Sequence, residues 1–563
     1  MPLPRLFAII GALTGLFVSQ ATTLLKNTDY TVYLFTWVLV VAVFSFIWQK
    51  QPTQSVIKSL FFMAVLLFGL TFWFVDQGYS KTYYFTPFFI IALIQITVIC
   101  TAFIQSWRFQ KPHFVYRDLF ENAWNNHFFL IFSGLLTAGF LLVLGLGTSL
   151  FESIGFKQVS KIIWSKEITP VIIATLVGTG IGISREHDAL IFKIRSVFFA
   201  IFRVMAYLTA AIVIMFTLSL PFSVSTLFDN RNTSLILLSI VAISILLLNT
   251  LVDNTNDDEQ NVPASSRDLS LWRNRIFSLQ IALLPFLSLI SVYAISLRIS
   301  QYGLMPKRVI ALAIAILLSI YSVVYAYQLL NRKGKWVLGL ASVNPPLAVL
   351  WVMMLVVMAS PLLDPTRLSV NNQVNRLQNQ KVSIDKFDFG ALKYRLGKRG
   401  KNALEEILAN TNHPKFIEIK QAIKSLPEDH ENLVASLIVI GDAPKEVEKL
   451  KNKFRSWRCS THNPCYVKQL AMTGDDTKQT MVFIFSENIL SAELYEYSKK
   501  WKLKKVYGNG RFNYPPFFPD AKNRHELSGK QKASIIDLLK KNKEIFIKPK
   551  FMDLDLGVIK LRQ

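Results

Sequence analysis

Eleven runs of predominantly apolar residues recur through the first 363 positions of this 563-residue chain, near 6–25, 31–48, 59–75, 84–107, 127–150, 168–184, 202–222, 233–252, 276–297, 309–330 and 346–363. A helix rises 1.5 Å per residue, so about 20 such residues cross a hydrocarbon core of about 30 Å with every backbone amide bonded inside the segment. The pattern predicts an α-helical transmembrane bundle over 1–363, followed by a small soluble α+β domain over 364–563. The sixth run, 168–184, is the weakest. Losing it would reverse the side on which everything after it lies.

Charge divides the chain in the same place. Lys and Arg number 25 in residues 1–363 and 37 in residues 364–563, against 14 and 23 acidic residues, which leaves the two parts at +11 and +14. The first run begins behind a single Arg5, and Ser19-Gln20-Ala21 offers no clear small-residue cleavage site, so it reads as an uncleaved span. Pro112 to Asn126 and Ala189 to Arg203 mix charges with Phe, Leu and Ile, and read as helices lying at the interface.

Cytoplasmic loops retain positive charge. On the side shared with the N-terminus the loops carry 16 Lys and Arg, including Arg185, Lys193, Arg195 and Arg203 between the sixth and seventh runs, whereas the opposite side carries 9. With eleven spans, the N-terminus is expected in the cytoplasm and the C-terminal domain outside.

Cysteine use bears on that orientation. The C-terminal part holds only Cys459 and Cys465, flanking Ser-Thr-His-Asn-Pro, a polar stretch that a disulfide would close in an oxidising compartment. Two other readings stay open: unpaired thiols, or a metal site built on Cys459, His462 and Cys465, for which no fourth ligand is adjacent. Cys100 sits inside an apolar run and reads as core. In the same part, Leu433 to Ile440, Tyr466 to Ala471, Met481 to Phe485 and Lys502 to Val506 read as strands of a short antiparallel sheet, with a hairpin turn at Thr473-Gly474-Asp475-Asp476. Ala403 to Ala409, Lys445 to Phe454 and Lys530 to Lys541 have helical spacing, and Asp364-Pro365 ends the last span.

Several separated stretches are distinctive. They are Arg185-Glu186-His187-Asp188; Arg298 with Gln301-Tyr302-Gly303-Leu304-Met305-Pro306-Lys307-Arg308; Leu368 to Val374; Phe387-Asp388-Phe389 leading into Tyr394-Arg395-Leu396-Gly397; and Ile547 to Phe551. On these the chain, from about residue 170 onward, resembles a bacterial membrane family known as domain of unknown function four-one-five-three. Met305 stands where the family pattern leads one to expect Thr. The resemblance implies a multi-pass architecture and no catalytic residues.

Read physically, Ala174, Gly178 and Gly182 recur every four residues, which smooths one helix face for close approach by a neighbour. The charged cluster Arg185, Glu186, His187 and Asp188 follows at the membrane surface, either as a salt-bridged pin or as a pH-sensitive or ligand-gripping site. Arg298, Tyr302, Lys307 and Arg308 gather on a turn shaped by Gly303 and Pro306, and read either as interfacial anchors or as a site for an anionic headgroup or solute. Gln95, Gln280 and Asn249 are neutral polar residues within the spans and read as interhelical glue, while Pro285 is expected to kink the ninth span.

Phosphate-loop, His-Glu-x-x-His and Gly-x-Ser-x-Gly signatures are missing from the sequence, and His525-Glu526 lacks the second histidine of a zinc motif. Asp475-Asp476 lacks the ligand count of a calcium site. No enzyme and no cofactor are expected. Membrane lipids and other envelope proteins are the expected partners, and nucleic acid is not, since membrane flanks and a basic outer domain account for the charge. Two functions fit: a non-enzymatic envelope component that anchors, scaffolds or transmits a signal, and a transporter or flippase for a lipid or small anionic solute.

A Cys459–Cys465 bridge would contribute about 2–3 kcal/mol by restricting the unfolded chain. Thiol labelling of the denatured, unreduced protein should then leave both cysteines unmodified. Full labelling without reductant would remove the bridge.

Overall fold

The structure is a computed structural model, and it describes residues 2–24, 28–48, 53–81, 85–107, 116–227, 233–251, 271–331, 336–384, 387–410, 414–424 and 426, together with the strands given below. The chain divides into two compact units, Met1–Ala422 and Ile423–Gln563. The unit holding the helices therefore continues past the boundary at 363 expected from hydropathy.

Its helices are α1 (Leu3–Leu24), α2 (Thr28–Ile47), α3 (Thr53–Asp76), α4 (Thr86–Ser106), α5 (Tyr116–Ser153), α6 (Lys157–Ile163), α7 (Thr169–Glu186), α8 (Asp188–Leu227), α9 (Thr233–Thr250), α10 (Leu271–Tyr302), α11 (Pro306–Asn331), α12 (Trp336–Met358), α13 (Pro365–Gln378) and α14 (Gly397–Ala409). A final helix, α15, covers Phe416–Lys424. Among the described residues ten of these, α1 to α5 and α8 to α12, are long and apolar enough to cross a membrane. This is the architecture of a multi-pass membrane protein, with ten such helices where eleven spans were expected.

The helix missing from the ten is α7, the sixth expected span. Its glycines, threonines and closing Arg185-Glu186 lower its hydropathy, and the same small residues give it a tight partner. That partner is α1. A methyl group on Gly178 would collide with the carbonyl of Phe7, and one on Gly11 with the carbonyl of Ala174, so the two backbones touch at both positions. Gly182 lies against Pro4 and Gly15 against Val171, so α7 runs antiparallel to α1 over about three turns. From the other side the Ser133 hydroxyl of α5 donates to the Val177 carbonyl at 2.7 Å.

The stretches read as separate interfacial helices are not separate. Residues 116–126 and 189–203 form the first turns of α5 and α8, which are 38 and 40 residues long. At 1.5 Å per residue each helix exceeds about 55 Å, so one end of each projects well beyond a hydrocarbon core of about 30 Å. Their N-terminal turns pack on one another through Trp124, Phe199 and Phe202. Pro112 to Val115 lie outside the described residues.

Neutral polar side chains join helices inside the bundle. Gln95 Oε1 on α4 accepts from Trp351 Nε1 on α12 at 2.7 Å. On α9, Asn249 Oδ1 lies 2.9 Å from the Tyr325 hydroxyl and 2.8 Å from Asn344 Nδ2, which also reaches the Tyr116 hydroxyl at 3.0 Å. The glue reading thus fits Gln95 and Asn249. Gln280 is fully buried with no hydrogen-bond partner among the described residues. Helix α10 continues unbroken past Pro285.

In the second unit, strands β1 (Leu437–Ile440), β2 (Cys465–Leu470), β3 (Gln479–Ser486), β4 (Ile489–Tyr497) and β5 (Trp501–Gly508) pair in sequence order. β2 to β5 run antiparallel, but β1 pairs with β2 in parallel, so the sheet is mixed rather than purely antiparallel. The strand β4 was not expected. Three short strands, β6 (Phe546–Lys548), β7 (Asp553–Asp555) and β8 (Lys560–Leu561), form a second, antiparallel sheet. The hairpin turn at 473–476, the helices at 445–454 and 530–541, and His525-Glu526 lie outside the described residues.

The α1–α7 seam leads to a stability prediction. Gly178→Leu should destabilise the detergent-solubilised protein by about 1–3 kcal/mol or more through overpacking, whereas Gly134→Leu on α5, where nothing lies within 4 Å, should be close to neutral. Thermal unfolding of the two variants checks this, and equal melting temperatures would contradict the seam.

Candidate functional site

The turn between α10 and α11 is built by its sequence. Gly303 adopts φ +76°, the left-handed conformation that ends a helix, and its amide bonds back to the Ile299 carbonyl at 2.8 Å. Pro306 then opens α11. The last turn of α10 leaves carbonyls without helical partners, and α13 supplies the donors. Gln373 Nε2 reaches the carbonyls of Tyr302 and Leu304 at 3.2 and 2.9 Å, and the Arg376 guanidinium reaches those of Ser300 and Gln301 at 3.2 and 3.0 Å. In return the Leu304 amide donates to Asn372 Oδ1 at 2.8 Å. A side chain at Gly303 would collide with Gln373, Arg376 and Asn372. Two of the distinctive sequence stretches, 298–308 and 368–374, are therefore one interlocked feature.

The cations expected on this turn are brought together. Arg308 Nη1 donates to the Gly303 carbonyl at 2.7 Å, and its guanidinium lies 5.3 Å from the centroid of the Tyr302 ring. Arg298 Nη1 donates to Gln301 Oε1 at 3.2 Å, and Lys307 is exposed. Arg376 joins them, and sequence reasoning missed it. Among the described residues no carboxylate pairs with Arg308 or Arg376.

The cluster after α7 divides between the interior and the surface. Arg185 is buried and turns inward, donating to the carbonyls of Ser45 and Trp48 at the C-terminal end of α2, with its guanidinium 5.5 Å from the centroid of Phe7. It caps a helix end, where a cation is favoured by the helix dipole. Glu186, His187 and Asp188 are exposed, and the Asp188 carboxylate acts on Arg185 as an opposite charge. Asp188 also lines a cleft of about 420 Å³ between α5 and α8, together with Asp118, Glu121, Asn122, Asn125, Ala189, Phe192 and Arg195. Arg195 is buried there, donating to Asn125 Oδ1 at 2.9 Å with Glu121 3.8 Å away.

A third polar centre was legible only as a helix stop. Asp364 is fully buried. One oxygen caps α13 by accepting from the Thr366 amide at 2.9 Å, and the other accepts from the Tyr79 hydroxyl at 2.8 Å and from Arg399 Nε at 2.6 Å. Burial first, and the Asp364 carboxylate second, hold the Tyr79 phenol well above its ordinary range, so it stays a neutral donor. Beside it the Lys398 amide donates to the Gln77 carbonyl at 3.0 Å, and Lys398 Nζ meets Asp76 at 2.9 Å. Asp364, Gly397, Lys398 and Arg399 thus form a collar on the helix ends next to Tyr79.

Among the described residues no group of three or more His, Cys, Asp or Glu is placed to hold a metal ion. Cys459 and His462 lie outside the described residues, and Cys465 is described only as part of β2. No family model, no curated protein and no solved structure matches the chain.

Removing the carboxylate from Asp364 should leave Arg399 and Tyr79 without their acceptor. Asp364→Ala is expected to destabilise the solubilised protein by about 3–5 kcal/mol, Asp364→Asn less, because the amide oxygen still accepts, and Tyr79→Phe by about 1–3 kcal/mol. Denaturant titration should find Asp364→Ala the least stable of the three. Wild-type stability in Asp364→Ala would show that the collar does not depend on this centre.

Proposed function

We propose that the chain is a non-enzymatic component of a bacterial inner membrane, in which the helical bundle holds and orients the C-terminal region as a scaffold or signal-transmitting element. The observation that carries this reading is the buried Asp364 centre. It ties the end of the last span to the turn after α3, 285 residues away, and through Arg399 to α14. An anchor needs one span. A collar fixed by a capped helix, a buried ion pair and Lys398 is suited to passing a movement of the bundle to the chain that follows it.

The same contacts support the expected topology. Tyr79 follows α3, and Asp364 follows α12, so their meeting puts an even number of crossings between them. Among the described residues the long helices in that interval are α4, α5 and α7 to α12, which is even only if α7 crosses as well. Its antiparallel register along α1 supports that crossing. Eleven crossings leave the N-terminus and residue 364 on opposite faces, and the 16 to 9 excess of Lys and Arg assigns the N-terminal face to the cytoplasm. The C-terminal region is then a soluble α+β domain outside the membrane, where a Cys459–Cys465 bridge would persist. Membership of the family resembled in sequence is part of this proposal and adds no activity.

The transporter reading draws on one observation, the cations gathered at the α10–α11 turn. The cleft between α5 and α8 is lined by none of them.

Alkaline phosphatase fused to the C-terminus should be active, and green fluorescent protein fused there should be dark. The opposite pattern would overturn the topology. In the same protein, the pair Gln77→Cys and Lys398→Cys should cross-link readily, since the two backbones are hydrogen-bonded at 3.0 Å. Failure to cross-link would overturn the collar while leaving the topology standing.

A further inference from the structure

Arg308 and Arg376 are held close to one another beside Gly303. Arg308 and Arg376 flank the same glycine, one on its carbonyl and the other against the space its side chain would fill. Both donate only to backbone carbonyls, which leaves the remaining N–H groups of each five-donor guanidinium without an acceptor among the described residues. Arg298 and Arg376 both act on Arg308 as like charges. Lys307 and Arg308 also occupy the first turn of α11, which carries no acidic residue, and there the helix dipole is positive. Three of the nine cations on the less positive side of the bundle, Arg298, Lys307 and Arg308, are concentrated on this one turn.

We propose that Arg298, Tyr302, Lys307, Arg308 and Arg376 bind the phosphate of an anionic lipid headgroup or of a free phosphate ester. The two guanidinium groups are pinned by backbone carbonyls and by the Tyr302 ring, so little side-chain freedom is lost when the anion enters. Tyr302 is 54% exposed, and its hydroxyl makes no hydrogen bond among the described residues, so it is a further donor beside the guanidinium it supports. A phosphate offers the planar acceptor pair that guanidinium groups bind bidentately and answers the positive end of α11. The position, at the end of two long apolar helices, is the depth of lipid phosphates.

Native mass spectrometry of the full-length purified protein tests the site, comparing phosphatidylglycerol with phosphatidylcholine of the same acyl chains. Wild type should retain phosphatidylglycerol preferentially. Arg308→Gln/Arg376→Gln should lower that retention about tenfold or more, because two charge-assisted hydrogen-bonding groups are removed from the anion, whereas Lys157→Gln/Lys161→Gln on α6 should not change it. Lys307→Glu alters an exposed side chain and leaves the carbonyl bonds of Arg308 and Arg376 in place. It should also weaken retention, and it decides the matter if the double variant fails to fold. Displacement of bound lipid by millimolar glycerol phosphate or inorganic phosphate would identify a free phosphate ester as the ligand; resistance to displacement would identify the headgroup. Equal retention of the two lipids by wild type, or unchanged phosphatidylglycerol retention in Lys307→Glu, would overturn the site.

Discussion

A peptide group inside hydrocarbon has no water to bond to, and the problem is sharpest at helix ends, where four amides or four carbonyls lack helical partners. Four charged residues of this unit answer that problem. Arg185 takes carbonyls at the end of α2, Arg308 and Arg376 take carbonyls at the end of α10, and Asp364 takes an amide at the start of α13. Arg185 and Arg376 reach these ends from other helices, and Asp364 also holds Tyr79 and Arg399, so satisfying the backbone also fixes which elements are neighbours. Along the spans the hydroxyls of Thr97, Thr101, Thr175 and Thr179 meet the same demand for themselves, each donating to a carbonyl four residues earlier.

Helix α7 obeys the same constraint as the ten apolar helices. Association between helices in lipid has little hydrophobic driving force and depends on close packing and hydrogen bonds. Gly178, Gly182 and Ala174 replace apolar side chains with backbone contact to α1 at Gly11 and its neighbours, and Ser133 adds a hydrogen bond from α5. A helix held on two sides by its neighbours needs less hydropathy of its own than one facing lipid.

The spans were legible because about 20 apolar residues leave few other readings. The small-residue face of α7 was legible too, but not its partner, although Gly11 and Gly15 on α1 carry the same spacing of four. Asp364-Pro365 was read as a stop; the same pair is also a capping residue followed by proline at the first helical position, and its long-range partners leave no local trace. Arg376 was missed for that reason, since nothing near it in sequence announces the carbonyls of Ser300 and Gln301. The run 489–497 contains Ala492, Glu493 and Glu496, residues depleted in strands, so its pairing between β3 and β5 was hidden. The charges in 116–126 and 189–203 suggested helices lying flat, whereas they belong to helices long enough to leave the hydrocarbon altogether.

The bond between Tyr79 and Asp364 also has a meaning for biogenesis. Spans enter the membrane in order as the chain is made, and 285 residues separate these two partners. At about 5–20 residues per second, roughly 15–60 s of synthesis pass between them. During that time Tyr79 has neither its carboxylate nor the collar that covers it. The nascent bundle is thus closed at one of its earliest turns only after residue 364 has been made.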